Sequence, residues 1–532
     1  MGIIKKLIFA GTGLLFAFIM VLLLFFVDKT HVYAVRVLPY SNLKIFITGM
    51  LFCLISIIFI SVFRKKSSVF RKKSEAFLEK NEKILTAMLT LLLLIYEMIF
   101  TYSSYFYTDW DPAGILDAAE KIATGNTENI SIGYLSAHPN NRFLLWIYTV
   151  IYKITIFISG KCRITAILWL QCLLVSLTCL MIYKILRKVG NSSLFSMTVF
   201  IATAVYVGMS PWLDVPYSDV ATLVLPIAMI YIYLRRRSMV TWMLIGLLTA
   251  VGYALKPQVV ITTFALIIYS LIAELTGRNR REKEGTLECI VGFAAAIIVF
   301  FLVLHGSIFP SLKLNLDVTQ EFGVSHYLMM GLNPETDGVY SNADTEFTAS
   351  FDDKDARNEA DIAVVRERIE NYGLRGLLRH LMRKMIVNYA DGSFAWGING
   401  RFFAGRPDGM ETIFSSFFEN IIYDSGRYFF QALILAQGIW LLIIFGAIFT
   451  FLRLFSKEKE SEMNHTDLIA IISLSVIGIT LFELTFEALA RYLFIYSPFF
   501  LLLAADGYRL LLRMIRKGLK LLRLPLSGKE AV

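Results

Sequence analysis

Residues 107–141 read YTDWDPAGILDAAEKIATGNTENISIGYLSAHPNN. The stretch follows a long apolar run and is itself polar, acidic and rich in turn residues. It holds two close carboxylates, Asp109 and Asp111, then a helical pattern, then a His-Pro-Asn-Asn turn. Ile115, Leu116, Ala119, Ile122 and Ala123 share one stripe at helical spacing, Asp117, Glu120 and Lys121 face away from it, and Gly125 ends it. Such a helix is expected to lie flat on a bilayer and hold Asp111 at the interface. A structural use is also open to that carboxylate, because Asp111-Pro112 suits an N-cap followed by proline at the first helical position.

The rest of the chain says that there is a bilayer. Of 532 residues 56% are hydrophobic, and the mean hydropathy is +0.62, far above that of a soluble globular chain. Apolar runs of membrane-spanning length recur throughout, which predicts an all-α polytopic membrane protein. The first run, Leu7 to Val27, is long enough to span and has no small-residue cleavage site before Asp28, so it reads as a span and not a cleaved signal. Cys53, Cys162, Cys172, Cys179 and Cys289 form no CxxC pair, and neither a metal site nor a disulfide framework is expected. The net charge of +10 does not point to nucleic acid. The basic residues sit in short loops between apolar runs, as cytoplasmic loops do on an anionic leaflet.

Those loops orient the chain. Met1 to Lys6 is basic, and spans of about 7–27 and 43–63 precede the most basic loop, RKKSSVFRKKSEAFLEKNEK at 64–83. With that loop inside, a third span of about 84–102 exits outward and places Asp109 and Asp111 outside. The apolar run 142–158, interrupted by Lys153, looks like a span by hydropathy. If it crossed, the basic groups at Lys184 to Lys188, Arg235 to Arg237 and Arg278 to Lys283 would all face outward. Charge asymmetry therefore favours a juxtamembrane or re-entrant helix there. Further spans follow at roughly 164–183, 194–211, 215–234, 240–255, 257–273, 287–304, 431–454, 467–486 and 490–514. The total is about twelve, with both termini cytoplasmic. Four regions result: two N-terminal spans and a basic loop (1–83), a core (84–304) whose first outer loop is 103–163, an extracytoplasmic segment (305–430), and C-terminal spans with a basic tail (431–532).

Candidate chemistry clusters at the outer ends of these spans. His138, Asn140 and Asn141 form a turn that serves either as a cap or as a polar contact to sugar or phosphate. Asp219, in PWLDVPYSD at 211–219 beside Tyr217, faces the same side as Asp111, with helix capping as its bland use. Lys256 lies between two short, proline-broken spans, where a cation is either snorkelling or set to bind phosphate. Glu487 and Arg491 are spaced for an intrahelical ion pair, unless the guanidinium fork grips a lipid phosphate. In the segment 305–430 two amphipathic stripes meet at Gly373: Ile362, Val365, Ile369 and Tyr372, then Leu374, Leu377, Leu378, Leu381, Met385 and Ile386 with Arg375, Arg379, Arg383 and Lys384. A basic amphipathic helix suits lipid headgroups or an anionic polymer, although a solvated charged face is the simpler reading. No P-loop, GxGxxG after a strand, HExxH or GxSxG occurs.

Together these positions resemble the GT-C superfamily of membrane glycosyltransferases, in particular bacterial proteins of the protein-mannosyltransferase and aminoarabinose-transferase group (glycosyltransferase family 39-like). The resemblance spans roughly residues 84 to 510. It rests on Asp111 ahead of Ala118-Ala119, the HPNN turn, PYSD at 216–219, LKP at 255–257, EALARYLFIYSP at 487–498, SHYLMMGLNPETDGVYSNAD at 325–344 and YADGSF at 389–394. It implies a GT-C-type helical bundle with juxtamembrane helices and a mixed extracytoplasmic segment, in a bacterial cytoplasmic membrane with the active site outside. It implies inverting transfer of a sugar from a polyprenyl-phosphate donor to a glycan, wall polymer, glycolipid or protein. Asp111 resembles the catalytic base, with Asp109 an ambiguity beside it, and Asp219 resembles the second outer-loop acid. Lys256 and Arg491 match positions that handle donor phosphate, while His138, Asn140, Asn141, Tyr217, His326 and Glu487 fall where substrate contacts are expected. No cofactor is required, though Asp111 with Asp219 could hold a divalent cation, as in some relatives. The two N-terminal spans look like additions to the shared core. A transporter or flippase of lipid-linked saccharides is the rival reading, and a non-catalytic relative is a third. A transporter should show related halves or charges near mid-membrane, whereas these candidates lie at the outer ends.

Overall fold

A computed structural model describes residues 2–27, 38–64, 68–235, 238–275, 286–400, 403–455 and 465–523. Basic runs that orient the chain at 65–66, 236–237, 278–283 and 457–459 lie outside the described residues. In chain order the first half holds α1 (Gly2–Phe25), α2 (Asn42–Arg64), α3 (Ser68–Ser104), β1 (Tyr107–Thr108), α4 (Asp111–Thr124), α5 (Ile132–Ala137), α6 (Asn140–Ser159), α7 (Ile164–Lys188), α8 (Ser193–Thr203), α9 (Ser218–Ala221), α10 (Val224–Tyr233), α11 (Met239–Leu255), α12 (Val260–Leu275) and α13 (Thr286–Val303). There follow α14 (Phe309–Ser311), α15 (Val324–Gly331), α16 (Asn342–Ala349), α17 (Lys354–Tyr389), α18 (Trp396–Asn399), β2 (Phe403–Gly405), α19 (Ser415–Ile422), α20 (Phe429–Ile448), α21 (His465–Thr485) and α22 (Ser497–Arg523). The protein is an all-α polytopic membrane protein. Among the described residues nine helices are long and apolar enough to cross a bilayer, and four shorter apolar helices accompany them.

One of the nine, α6, does not make a crossing. Helices α3 and α7 pack antiparallel, as their side-chain pairs show level by level. Thr101 meets Cys172 at 3.7 Å, Ser176 donates to Glu97 at 2.7 Å, and Tyr183 donates to Glu82 at 3.2 Å. So α7 begins at the end of the bundle where α3 stops. Everything between them, α4 to α6, leaves from and returns to that end. A single crossing by α6 would deliver residue 160 to the opposite end, and only residues 160–163 separate it from α7. Helix α6 instead lies alongside α4. Setting it aside leaves, among the described residues, eight helices long enough to cross and the four shorter apolar ones.

That pairing changes the reading of the α4 stripe. Ile115, Leu116, Ala118, Ala119 and Ile122 are buried, and α4 packs on α6. The stripe is covered by protein and not by lipid, because α6 offers a matching face: Phe143, Leu144, Leu145, Tyr148 and Tyr152. The start of the loop is pinned as well. β1 pairs antiparallel with β2, Tyr107 opposite Gly405 and Thr108 opposite Phe403.

Helix α1 belongs to the core and is not an appendage. Phe16 and Ile19 are fully buried, and Phe16 meets Phe500 of α22 edge-on at 6.1 Å. Helix α2 is the peripheral one, with Leu51, Phe52, Leu54 and Ile55 exposed. At the end opposite Asp111, Arg453 forks onto Asp506 at 2.6 and 2.7 Å, and His465 and Arg509 join the same carboxylate.

The segment between α13 and α20 folds as a lobe on the Asp111 end. Helix α17 is one long helix broken at Gly373, whose φ of 53° and ψ of −178° are open to glycine and costly to other residues. Beyond the break the predicted stripe divides. Met385 and Ile386 are buried, but Leu374 and Leu378 are exposed beside Arg375 and Arg379. Ahead of the break Val365 is buried while Ile369 is exposed. The lobe docks through Lys384, which donates to the carbonyls of Gly331 (2.8 Å) and Phe486 (2.5 Å), and through the Ala488 N–H on the Gly338 carbonyl (2.8 Å).

Candidate active site

Asp111 opens α4 but does not cap it. Trp110 occupies the N-cap position, with no side-chain cap bond, and a proline follows within the first turn. Freed from capping, the Asp111 carboxylate accepts from the Tyr217 hydroxyl at 3.0 Å. Tyr134 bonds the same carboxylate, and Asn141 holds the Tyr134 oxygen with its amide at 2.7 Å. Burial first, and then the Asp111 charge, pushes both phenols above their ordinary range. They therefore stay protonated and donate to Asp111. Asp109, two residues earlier, is exposed and takes no part in this arrangement.

Asp219 likewise does no capping. The chain turns inward at Pro216, and the fully buried Asp219 carboxylate receives Lys256 Nζ at 2.5 Å. Its other oxygen lies 3.7 Å from Arg491 Nε. Lys256 owes its place to the break before Pro257, where α11 stops with an extended residue. Arg491 comes from the 3-10 turn Ala490–Tyr496 that leads into α22. Residues 486–489 are not helical, so the Glu487–Arg491 spacing makes no helical ion pair. Glu487 accepts from Tyr492 at 2.7 Å instead, and burial raises its carboxyl above the ordinary carboxylate range.

Four aromatic rings enclose the Arg491 guanidinium. Its centre lies 4.5 Å from the Trp110 ring, 5.4 Å from Tyr492, 5.6 Å from Tyr217 and 5.8 Å from Trp212. Lys256 Nζ also lies over Tyr492, at 4.9 Å. Arg491 is only 7% exposed, and among the described residues its Nε and one Nη have no hydrogen-bond partner. A buried guanidinium with unused donors is a ready receptor for an anion that supplies planar acceptor oxygens.

The structure thus brings Asp111, Tyr217, Asp219, Lys256, Glu487 and Arg491 together at one end of the bundle. Asn141 belongs to it one step back, through Tyr134, and Asn140 only through Asn141 at 3.4 Å. His138 stacks on Tyr134 at 4.5 Å and bonds its carbonyl. His326 is not in the pocket. It is turned into the lobe, 2.7 Å from Thr348, because α15 presents its neighbour Tyr327 to the Glu487 and Asp111 charges. Sequence reading missed Trp110, Trp212, Tyr134 and Tyr327, and had Tyr492 only as a neighbour of Arg491. Trp110 adjoins Asp111; the other three give no sign, since lone aromatics near apolar runs are ordinary. As for a divalent ion, Asp219 is already taken up by Lys256 and Arg491. Among the described residues no three His, Cys, Asp or Glu side chains are gathered to hold a metal.

Fold and pocket define a polytopic helical membrane protein with a buried ionic and aromatic site at one end of its bundle. The chain belongs to the family described as conserved hypothetical integral membrane proteins, which matches residues 5–508. A search of curated proteins finds no match to it.

Proposed function

We infer that the protein is a GT-C-like membrane glycosyltransferase acting at the outer face of a bacterial cytoplasmic membrane. The observation that carries this reading is one pocket holding both halves of the chemistry. A carboxylate held by two neutral phenols stands beside a guanidinium with unused donors, and Tyr217 touches both. The donor is a polyprenyl-phosphate sugar. Its phosphate lies against Arg491 and Lys256, and its chain stays in the bilayer. The acceptor is an extracytoplasmic glycan, wall polymer, glycolipid or protein, and its hydroxyl faces Asp111.

In the reaction the acceptor oxygen attacks the anomeric carbon from the face opposite the phosphate. The bond from that carbon to the phosphate oxygen breaks, and its electron pair leaves with polyprenyl phosphate. The acceptor proton passes to Asp111, as a general base requires. Arg491 and Lys256 meet the charge that grows on the leaving phosphate, and such preorganised stabilisation is worth several kcal/mol in a dry site. Asp219 holds the two cations in place.

Transfer from polyprenyl-phosphate sugars by purified protein tests this. Asp111→Asn should lower the rate by about 100-fold or more, the usual worth of a positioned base, while Asp109→Asn should stay near wild type. Loss confined to Asp109→Asn would move the base. A wild type that binds donor and releases no polyprenyl phosphate would overturn the enzyme in favour of a carrier or a non-catalytic relative.

A further inference from the structure

The rings cover much of the Arg491 guanidinium. Its Nε and one Nη are buried without a hydrogen-bond partner among the described residues, so an anion reaches these two donors only when the cover over them moves. The four rings that cover the guanidinium differ in what holds them. The Tyr217 hydroxyl is tied to Asp111, the Tyr492 hydroxyl to Glu487 at 2.7 Å, and the Trp212 indole N–H to the Ser393 carbonyl at 3.2 Å. Trp110 has no such tie. Its indole nitrogen is buried without a hydrogen-bond partner among the described residues, and its ring is the nearest of the four to the guanidinium.

Position adds to this. Trp212 and Tyr217 are both buried, Trp212 in a helical turn and Tyr217 just ahead of α9, whereas Trp110, just ahead of α4, is only partly buried. Its ring meets the edge of Tyr217 at 5.4 Å and the guanidinium at 4.5 Å, and otherwise rests on the hydrophobic core without a polar anchor among the described residues. An anion on Arg491 competes for the same charge that holds the indole. An indole N–H without a partner in a buried place is also costly, which favours a state in which it finds one. We propose that Trp110 is a lid over Arg491 that swings aside to admit the phosphate of a lipid phosphomonoester. This rests on the phosphate-binding role assigned to Arg491 above. Because Trp110 adjoins Asp111 in the chain, the same movement sets the base in its working position only once the anion is seated.

The test labels the full-length protein, in lipid nanodiscs, with 5-fluorotryptophan. Trp110→Phe identifies the Trp110 line among the seven tryptophans. Fluorine spectra with a soluble paramagnet report whether the ring is covered. Phosphorus spectra of added farnesyl phosphate report binding, and inorganic phosphate and farnesol are parallel arms. The expected result is a Trp110 line sheltered without ligand, and shifted and exposed on adding farnesyl phosphate. Arg491→Gln should abolish that change. Trp110→Ala should tighten farnesyl phosphate binding, by about tenfold if the open state is one part in ten. A response to inorganic phosphate as well would assign the trigger to free phosphate and overturn the lipid part. Arg491-dependent binding with a sheltered, unmoved Trp110 line overturns the lid and leaves the function standing. If no phosphorus line responds, the lid falls together with the phosphate role of Arg491.

Discussion

Lys256 shows what a single charge does in this pocket. Its ammonium is one of two cations on Asp219, a carboxylate with no solvent exposure. Removing it leaves that carboxylate with only the more distant guanidinium at 3.7 Å. Taking one partner from a buried pair costs about 3–5 kcal/mol, much of it the penalty of an uncompensated charge. Lys256→Met should therefore lower the melting temperature of the detergent-solubilised protein markedly, and the added change Asp219→Asn should recover most of the loss. If the double variant is no more stable than the single one, the pair is not the source of the cost. Glu487, by contrast, takes its hydrogen bond from a tyrosine. Glu487→Gln can keep that bond and should be far milder.

At the scale of elements, the lobe governs the pocket through a short contact. Gly331, at the end of α15, lies against the backbone of Phe486, and an added Cβ would come 2.6 Å from it. Backbone atoms cannot give way as a side-chain end can, so Gly331→Ala should cost about 1–3 kcal/mol, as overpacking does. Limited proteolysis should then cut the lobe sooner, at residues 305–430, while the crossings stay intact. Wild-type resistance in that variant would show the contact to be slack. His326 sets the lobe's acid sensitivity. Burial first, and then the His138 charge, lowers its pKa to about 4. Its protonated form is disfavoured in the fold, so between pH 6.5 and about 4 the unfolded chain binds more protons and stability falls as pH falls. The loss amounts to about 3 kcal/mol over that range. Melting curves of wild type and His326→Gln from pH 7 to 4.5 should diverge, with wild type losing more. Lys384 is drawn down to about 7 by burial, against the pull of Glu483 and Glu487. Its tie to two carbonyls needs only its N–H donors and holds in either charge state.

At the scale of the molecule, the excursion between α3 and α7 is what places the site. The loop after α4 and the loop after α6 should both be reachable from one side of the membrane. In a cysteine-free background, Asn126→Cys and Lys161→Cys should react with an impermeant maleimide from the same face, in oriented vesicles. Labelling of Lys161→Cys from the other face would make α6 a crossing and reverse every later loop.

The sequence by itself determined the class, because solvent preference is additive along a chain. Runs such as Leu7 to Val27 and 431–454 are long and apolar whatever they pack against. It also brought Asp111, Asp219, Lys256 and Arg491 under suspicion, since a charge at the edge of an apolar run is costly wherever it sits. Tertiary structure alone decided which of those charges meet. Asp219 and Lys256 are 37 positions apart, Asp111 and Tyr217 are 106 apart, and no local pattern encodes such a contact. Nor did local pattern tell capping from catalysis. Asp111 has the spacing of a cap, but the helix takes Trp110 as its N-cap residue, and a hydroxyl from a distant segment reaches the carboxylate instead. Hydropathy could not place α6 either, since a helix of that length and composition can cross or lie flat. The antiparallel match of α3 with α7 settled it, because two packed helices leave the chain between them a fixed end to return to.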